Sequence, residues 1–345
     1  MGSSPKEQHV SIRRRFFSLP TLVAFCVAGA FLYFMATRFN VDLGATWDNL
    51  RRCNPWYYVL AIAINYTTFL FRGARWRVLL QNVQEREHPV PSTPRLAGLI
   101  LLSWFANCVT WFRLGDIYRA YVYGEDTRAT FSRTIGTVVA ERVYDVVLVF
   151  ILLAVAALLL FVQVGEKPSW VFLGIALALV MGMVAILLLM VVFRSRFARL
   201  LPRRFEEAYG RFHQGTLGSF NRMPLALLLG ALGWMAEVGR LYFVVQALGF
   251  PLGLSMVLFV TLANAILTLV PITPGGLGIV EPGITGVLVL ALAKSAALSV
   301  ALLDRSISYL SVVVVGGTLF VVRELLKRRR ARAPDRAVPE QHGSP

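Results

Sequence analysis

The chain has 345 residues, 57% of them apolar and 16% charged, with a mean hydropathy of +0.63. Soluble domains carry about 45–50% apolar and about 25% charged residues, so a soluble enzyme, a disulfide-framed secreted domain and a disordered chain are excluded. The formal net charge of +16 sits mainly at the ends of apolar blocks, where basic residues orient a chain in the bilayer and meet anionic headgroups; no nucleic-acid partner is expected.

In chain order, residues 1–18 form a basic cytoplasmic N-terminus, followed by an apolar stretch over 19–37 that lacks the polar mature region of a cleaved leader and reads as a signal anchor. Further apolar blocks run near 55–71, 96–112, 134–164, 170–193, 224–248, 254–293 and 297–322. The polar segments 1–18, 72–95, 194–222 and 323–345 carry net charges of +3, +3, +5 and +4, and all four are assigned to the cytoplasm. Simple alternation of crossings cannot satisfy that assignment. It works if 96–112, the most polar block with Ser103, Trp104, Asn107 and Thr110, enters and leaves on one side. The 254–293 block is broken by Pro271 to Gly278, and freed backbone groups there must be buried in protein or line a wet cavity. The expected fold is therefore an all-α polytopic membrane protein with about six full crossings, two re-entrant regions near 96–112 and 254–293, a transmembrane domain over 19–322 and a basic cytoplasmic tail over 323–345. The basic 194–222 segment reads either as an interfacial amphipathic helix or as a solvated loop.

Shifting the chain on itself aligns Glu141-Arg142 with Asp304-Arg305 and Leu114-Gly115 with Leu277-Gly278 at an offset of 163, and Ala106-Asn107 with Ala263-Asn264 at 157. One insertion near Pro271–Gly276 reconciles the offsets, so an inverted repeat of the transporter kind is expected.

Nine charged residues fall in or beside the apolar blocks: Glu141, Arg142, Asp145, Glu237, Arg240, Glu281, Lys294, Asp304 and Arg305. An Arg or Asp at a helix centre costs about 2.5–3.5 kcal/mol on insertion scales, so these groups are expected to converge. Glu237 and Arg240, at i,i+3, read as a local clamp, and Lys294 as a residue near a helix end. The turn at Gly275, Gly276 and Gly278 precedes a helix and forms an anion-binding nest, unless Glu281 fills the nest as a cap. Cys26, Cys53 and Cys108 are isolated, all four histidines lie in polar segments, and no phosphate-binding P-loop is present. No metal or cofactor is expected.

Pro271-x-x-Pro274-Gly275-Gly276-Leu277-Gly278-x-x-Glu281 resembles the signature of the lysylphosphatidylglycerol synthase transmembrane-region family. Asn107, Arg113-Leu114-Gly115-Asp116-x-x-Arg119, Glu141-Arg142-x-x-Asp145 and Leu303-Asp304-Arg305 are similar to its other motifs, and the likeness runs over about residues 20–325. The polar stretch after Val322 is too short for the soluble synthase domain, so the synthase reaction is not expected. The resemblance implies a multi-pass protein of the bacterial cytoplasmic membrane, both termini cytoplasmic, that moves an anionic or aminoacylated phospholipid or a polyprenyl-phosphate-linked lipid between leaflets. On this reading Arg113, Arg119, Arg142 and Arg305 bind phosphate, Gly275, Gly276 and Gly278 admit it, and Asp116, Glu141 and Glu281 hold the arginines in place, contact a cationic headgroup or carry a coupling proton. Membrane lipids are the expected partners, with a lipid-modifying enzyme as a further one. A non-transporting scaffold and an intramembrane headgroup transferase with Glu281 or Asp116 as base stay open as alternatives.

Overall fold

The computed structural model describes residues 42–83, 89–110, 113–164, 203–269 and 273–332, together with Leu177 and Met181. The expected crossing at 19–37, almost all of that at 170–193, and the 194–202 part of the basic segment lie outside the described residues. Among the described residues every regular element is helical, as an apolar chain whose backbone must satisfy itself requires.

The first half comprises α1 (Leu43–Arg51), α2 (Pro55–Asn82), α3 (Thr93–Val109), α4 (Leu114–Thr127) and α5 (Phe131–Val164). The second comprises α6 (Arg203–Gly218), α7 (Met223–Ala247), α8 (Leu254–Leu269), α9 (Val280–Leu288), α10 (Lys294–Arg305) and α11 (Val312–Arg332). A π-type segment, Ser306–Ser311, makes α10 and α11 one continuous rod. The starts follow local chemistry: Asp42 accepts from Ala45 N to cap α1, and Asn54 accepts from Trp56 N to cap α2, with Pro55 at its first position.

α3 and α4 contain 17 and 14 residues, each short of the ~20 that cross a bilayer. They fold back on each other. A Cβ on Gly115 would lie 1.9 Å from Ser103 O, so only glycine permits that approach, and Asn107 Oδ1 accepts from Gly115 N at 2.8 Å. The far ends also meet, Arg95 at the start of α3 pairing with Asp126 at the end of α4. The hairpin is therefore longer than the expected 96–112: that block is a single helix, α3, which forms only its first arm, and α4, part of a segment read from sequence as polar, is the return. α8 and α9 form the second hairpin, with Gly283 of α9 against Leu267 of α8. The α6 to α7 stretch Glu207–Ala247 and the rod Lys294–Lys327 are long and apolar enough to span.

The halves are related by a local two-fold axis. α2 packs on α7 more extensively than any other pair, and the two run antiparallel: Asn65 meets Arg240, Arg72 meets Glu237, and Arg75 meets Gly230. At an offset of 165 (Arg72 to Glu237), Asn65 corresponds to Gly230 and Arg75 to Arg240. The Arg75–Gly230 and Arg240–Asn65 contacts are thus the same contact seen from each side, and Arg72 meets its own counterpart. Other packing repeats the pattern. Hairpin α3 packs on α11 while α8 packs on α5, and α6 packs on α5 while α1 packs on α10. Antiparallel counterparts across a shared axis make this an inverted repeat. The basic segment is helical from Arg203, and Gly136 and Gly215 seat it tightly on α5, so that part is no free loop.

Large apolar side chains face outward, among them Val59 and Leu70 on α2, Leu158 on α5, Leu228 on α7 and Val314 on α11. Arg75, Arg119, Glu141, Arg240, Glu281 and Asp304 lie buried within. Apolar outside and charged inside is the arrangement of a protein dissolved in lipid.

Candidate functional site

Where the two hairpins meet α2, α5, α7 and the α10–α11 rod there is a cavity of about 190 Å³. Five arginines line it (Arg72, Arg113, Arg142, Arg240 and Arg305), along with the carboxylates Asp145 and Glu237 and the polar residues Asn107, Asn264 and Ser308.

Each charge is placed by a helix of the repeat. Arg142, on α5, donates to both carboxylate oxygens of Asp116 at 2.8 and 2.9 Å. Asp116 lies in the first turn of α4, where the helix dipole favours an anion. The counterpart in the second half repeats this: Arg305 donates to Glu281 at 2.8 Å, and Glu281 stands in the first turn of α9. Arg305 also donates to Gly275 O at 2.6 Å and lies over the ring of Tyr309. Glu141 is held by Arg75 and Arg119, each at 2.9 Å, and Arg119 stacks on Trp76. Asp145 receives Arg75 at 2.8 Å and Arg72 and Arg142 at 3.4 Å each.

Of the residues expected from sequence, Arg113, Arg142, Gly275, Gly276 and Arg305 reach the cavity wall. Asp116, Arg119, Glu141, Gly278 and Glu281 stand outside it, and the charged ones among them brace the lining arginines or one another. The nest is closed by its own acid, since Gly278 N donates to Glu281 Oε2 at 2.8 Å. The local cap, one of the two readings of that turn, is what forms. The expected Glu237–Arg240 clamp is not. Glu237 takes Arg72 of α2 at 2.7 Å, and Arg240 takes Asp304 of α10 at 2.9 Å and Asn65 at 3.1 Å. Tertiary partners across the two-fold displace the local i,i+3 contact. Lys294 is the first residue of α10.

Arg72 and Arg75 escape a reading based on apolar blocks because the apolar run of α2 stops one residue before Arg72. The helix itself continues to Asn82. The available signal is their i,i+3 spacing on an unbroken helical pattern, which directs both to one face.

Counted around the cavity, seven arginines (72, 75, 113, 119, 142, 240 and 305) face six carboxylates (116, 141, 145, 237, 281 and 304). The surplus cation is Arg113, which meets no carboxylate within 4 Å among the described residues and donates only to Thr268 O, at 3.2 Å. Its backbone is held in the left-handed region at φ 53°, as is its counterpart Gly276 at φ 73°. A cavity with one uncompensated guanidinium attracts an anion, and guanidinium offers paired donors to phosphate at any depth.

A family model for the lysylphosphatidylglycerol synthase TM region matches residues 14–316 of the chain. A UPF0104 membrane protein of Methanocaldococcus jannaschii is 31% identical over 227 residues, covering 65% of this chain and 97% of that protein. Another, of Pyrococcus horikoshii, is 23% identical over 313 residues, covering 81% and 90%. A protein of Haloferax volcanii named glycosyltransferase AglD is 24% identical over 312 residues, covering 76% of this chain and 48% of its own length.

Proposed function

We propose that this chain, which belongs to the lysylphosphatidylglycerol synthase transmembrane-region family, carries a lipid with an anionic phosphate headgroup between the leaflets of its membrane. The observation that supports this most directly is the arginine-lined cavity at the meeting of the two hairpins, with Arg113 within 4 Å of no carboxylate among the described residues. Buried ion pairs are poor stabilisers, because apolar replacements of similar volume often serve as well or better. Thirteen ionised side chains gathered within one membrane domain therefore favour a ligand over a structural device.

In this reading Arg113, Arg142 and Arg305 hold the phosphate while the tails stay in lipid. Asp116 and Glu281 keep Arg142 and Arg305 extended into the cavity. The inverted repeat supplies the movement, since exchange of conformation between the two halves turns one central site toward either face. At one end of the first hairpin Asp126 is tied to Arg95 and Arg323, and Glu125 to Lys327, a clasp that such an exchange opens.

The test is leaflet exchange in vesicles of neutral lipid containing tail-labelled phosphatidylglycerol. Wild-type protein is expected to accelerate exchange over protein-free vesicles, and Arg113→Gln to slow it by about tenfold or more, the loss of one charge-assisted hydrogen bond. Exchange no faster than in protein-free vesicles, or equal rates with both proteins, overturns the reading.

A further inference from the structure

The two halves supply equivalent positions to the cavity, yet Asn107 and Asp145 of the first half are engaged where their counterparts in the second are not. In the first, the Asn107 side-chain oxygen is satisfied by Gly115 N, and Asp145 is engaged by three arginines. In the second, Asn264 takes the place of Asn107, but the corresponding amide, Gly278 N, already donates to Glu281. Asn264 Oδ1 is buried without a partner among the described residues. The place of Asp145 is taken by Ser308, whose Oγ is likewise buried and unpartnered, as is Oγ1 of Thr273. All three residues line the cavity.

Native proteins rarely leave buried polar atoms unpaired, and these three share a chemistry. An amide oxygen accepts only, and a hydroxyl accepts or donates. None is charged. The carboxylates of the wall are occupied, Asp145 by arginines from two helices and Glu237 by Arg72. The aromatic faces that could cradle an ammonium are occupied too. Arg72 covers Trp104 and Trp234, and Arg305 covers Tyr309. The unmet demand of the cavity is thus an anion for Arg113, acceptors for the buried Arg72 Nε, Arg142 Nε and Trp234 Nε1, and hydroxyl groups for Asn264, Thr273 and Ser308.

We infer that Asn264, Thr273 and Ser308 form a hydroxyl-recognising subsite, and that the ligand is a phosphodiester whose headgroup carries hydroxyls rather than an amine. This rests on the proposed function for its lipid tails and adds the identity of the headgroup. The phosphate lies against Arg113 and Arg305, one headgroup hydroxyl donates to Asn264 Oδ1, and others exchange hydrogen bonds with Ser308 and Thr273.

Native mass spectrometry of the full chain tests it with two lipids of identical tails and identical single charge, phosphatidylglycerol and the hydroxyl-free phosphatidylethanol. Wild type is expected to bind phosphatidylglycerol about tenfold more tightly, and Asn264→Leu and Ser308→Ala to cut that preference to about twofold. Retained phosphatidylethanol binding serves as the folding control in both variants. Equal affinities in wild type, a preference that survives both substitutions, or tighter binding of lysylphosphatidylglycerol than of phosphatidylglycerol overturns the subsite while leaving an anionic-lipid carrier standing. Capture of tailless glycerophosphoglycerol with the same dependence on Asn264 and Ser308, but of neither lipid, keeps the subsite and overturns the lipid. Binding of none of these probes overturns both.

Discussion

Arg113→Gln separates recognition from architecture more cleanly than any other change in the cavity. The other lining arginines each hold a carboxylate, so truncating one strands a buried anion and costs about 3–5 kcal/mol of stability. Among the described residues Arg113 has only its hydrogen bond to Thr268 O at 3.2 Å. Losing that charge-assisted bond costs about 1.5–3 kcal/mol, and removing a buried cation that touches no carboxylate among the described residues offsets part of it, so the melting temperature should fall by at most a few degrees. For the ligand no such offset applies. A hydrogen bond from a charged donor contributes about 1.5–3 kcal/mol, which converts to a loss of about 10- to 150-fold in affinity for an anionic phosphodiester lipid. Trp104 and Trp234 stand in the cavity wall, so a tryptophan-fluorescence titration with phosphatidylglycerol reads the affinity while a thermal melt in the same detergent reads stability. Unchanged affinity in a folded variant, or a destabilisation above about 3 kcal/mol, refutes the assignment of Arg113 to the ligand.

Other residues carry predictions of a different kind. Asp304→Asn leaves Arg240 without its carboxylate and should destabilise by about 3–5 kcal/mol, whereas the double change Arg240→Met with Asp304→Leu should recover most of that in a thermal melt. Gly115→Ala places a methyl group 1.9 Å from Ser103 O and should lower stability by about 3 kcal/mol or prevent folding; a melting temperature within a few degrees of wild type would mean the hairpin is looser than described. Burial pushes the Asp126 carboxyl up, but hydrogen bonds and charge from Arg323, and then from Arg95, outweigh it and hold it below its ordinary value of 3.8. A depressed carboxylate lends its stability above its unfolded value and loses it as pH falls through the folded one. Melts between pH 6 and 3 should thus show the clasp intact above pH ~4 and weakening below, with that component absent in Asp126→Asn.

Much of this organisation was legible in the residues themselves. Charge in the polar segments pointed to a hairpin at 96–112, which is only its first arm, since the return at Leu114–Thr127 is too polar to register as an apolar block; the Asn107 and Gly115 that join the arms are the same residues that revealed the repeat. The Pro-Gly-Gly turn marked the second hairpin, because backbone freed by proline and glycine must be enclosed in protein. What escaped was tertiary. Arg72 and Arg75 lie beyond the apolar block of α2, and block-reading assigned them to a loop, although nothing breaks the helix before Asn82. Glu237 and Arg240 satisfy a local spacing rule but find stronger partners on α2 and α10, which only the two-fold brings within reach. The open state of Asn264 could not be read from sequence either, since it depends on Glu281 having taken the amide that in the first half belongs to Asn107.

The central claim, that the cavity on the two-fold holds a lipid phosphate, is tested most directly by an electron cryomicroscopy map of the protein in nanodiscs containing phosphatidylglycerol. The account predicts headgroup density within hydrogen-bonding distance of Arg113 and Arg305, continuous with acyl-chain density leaving between the helices. Well-resolved Arg113 and Arg305 side chains facing a cavity that holds only water, with ordered lipid confined to the outer apolar faces, would contradict it.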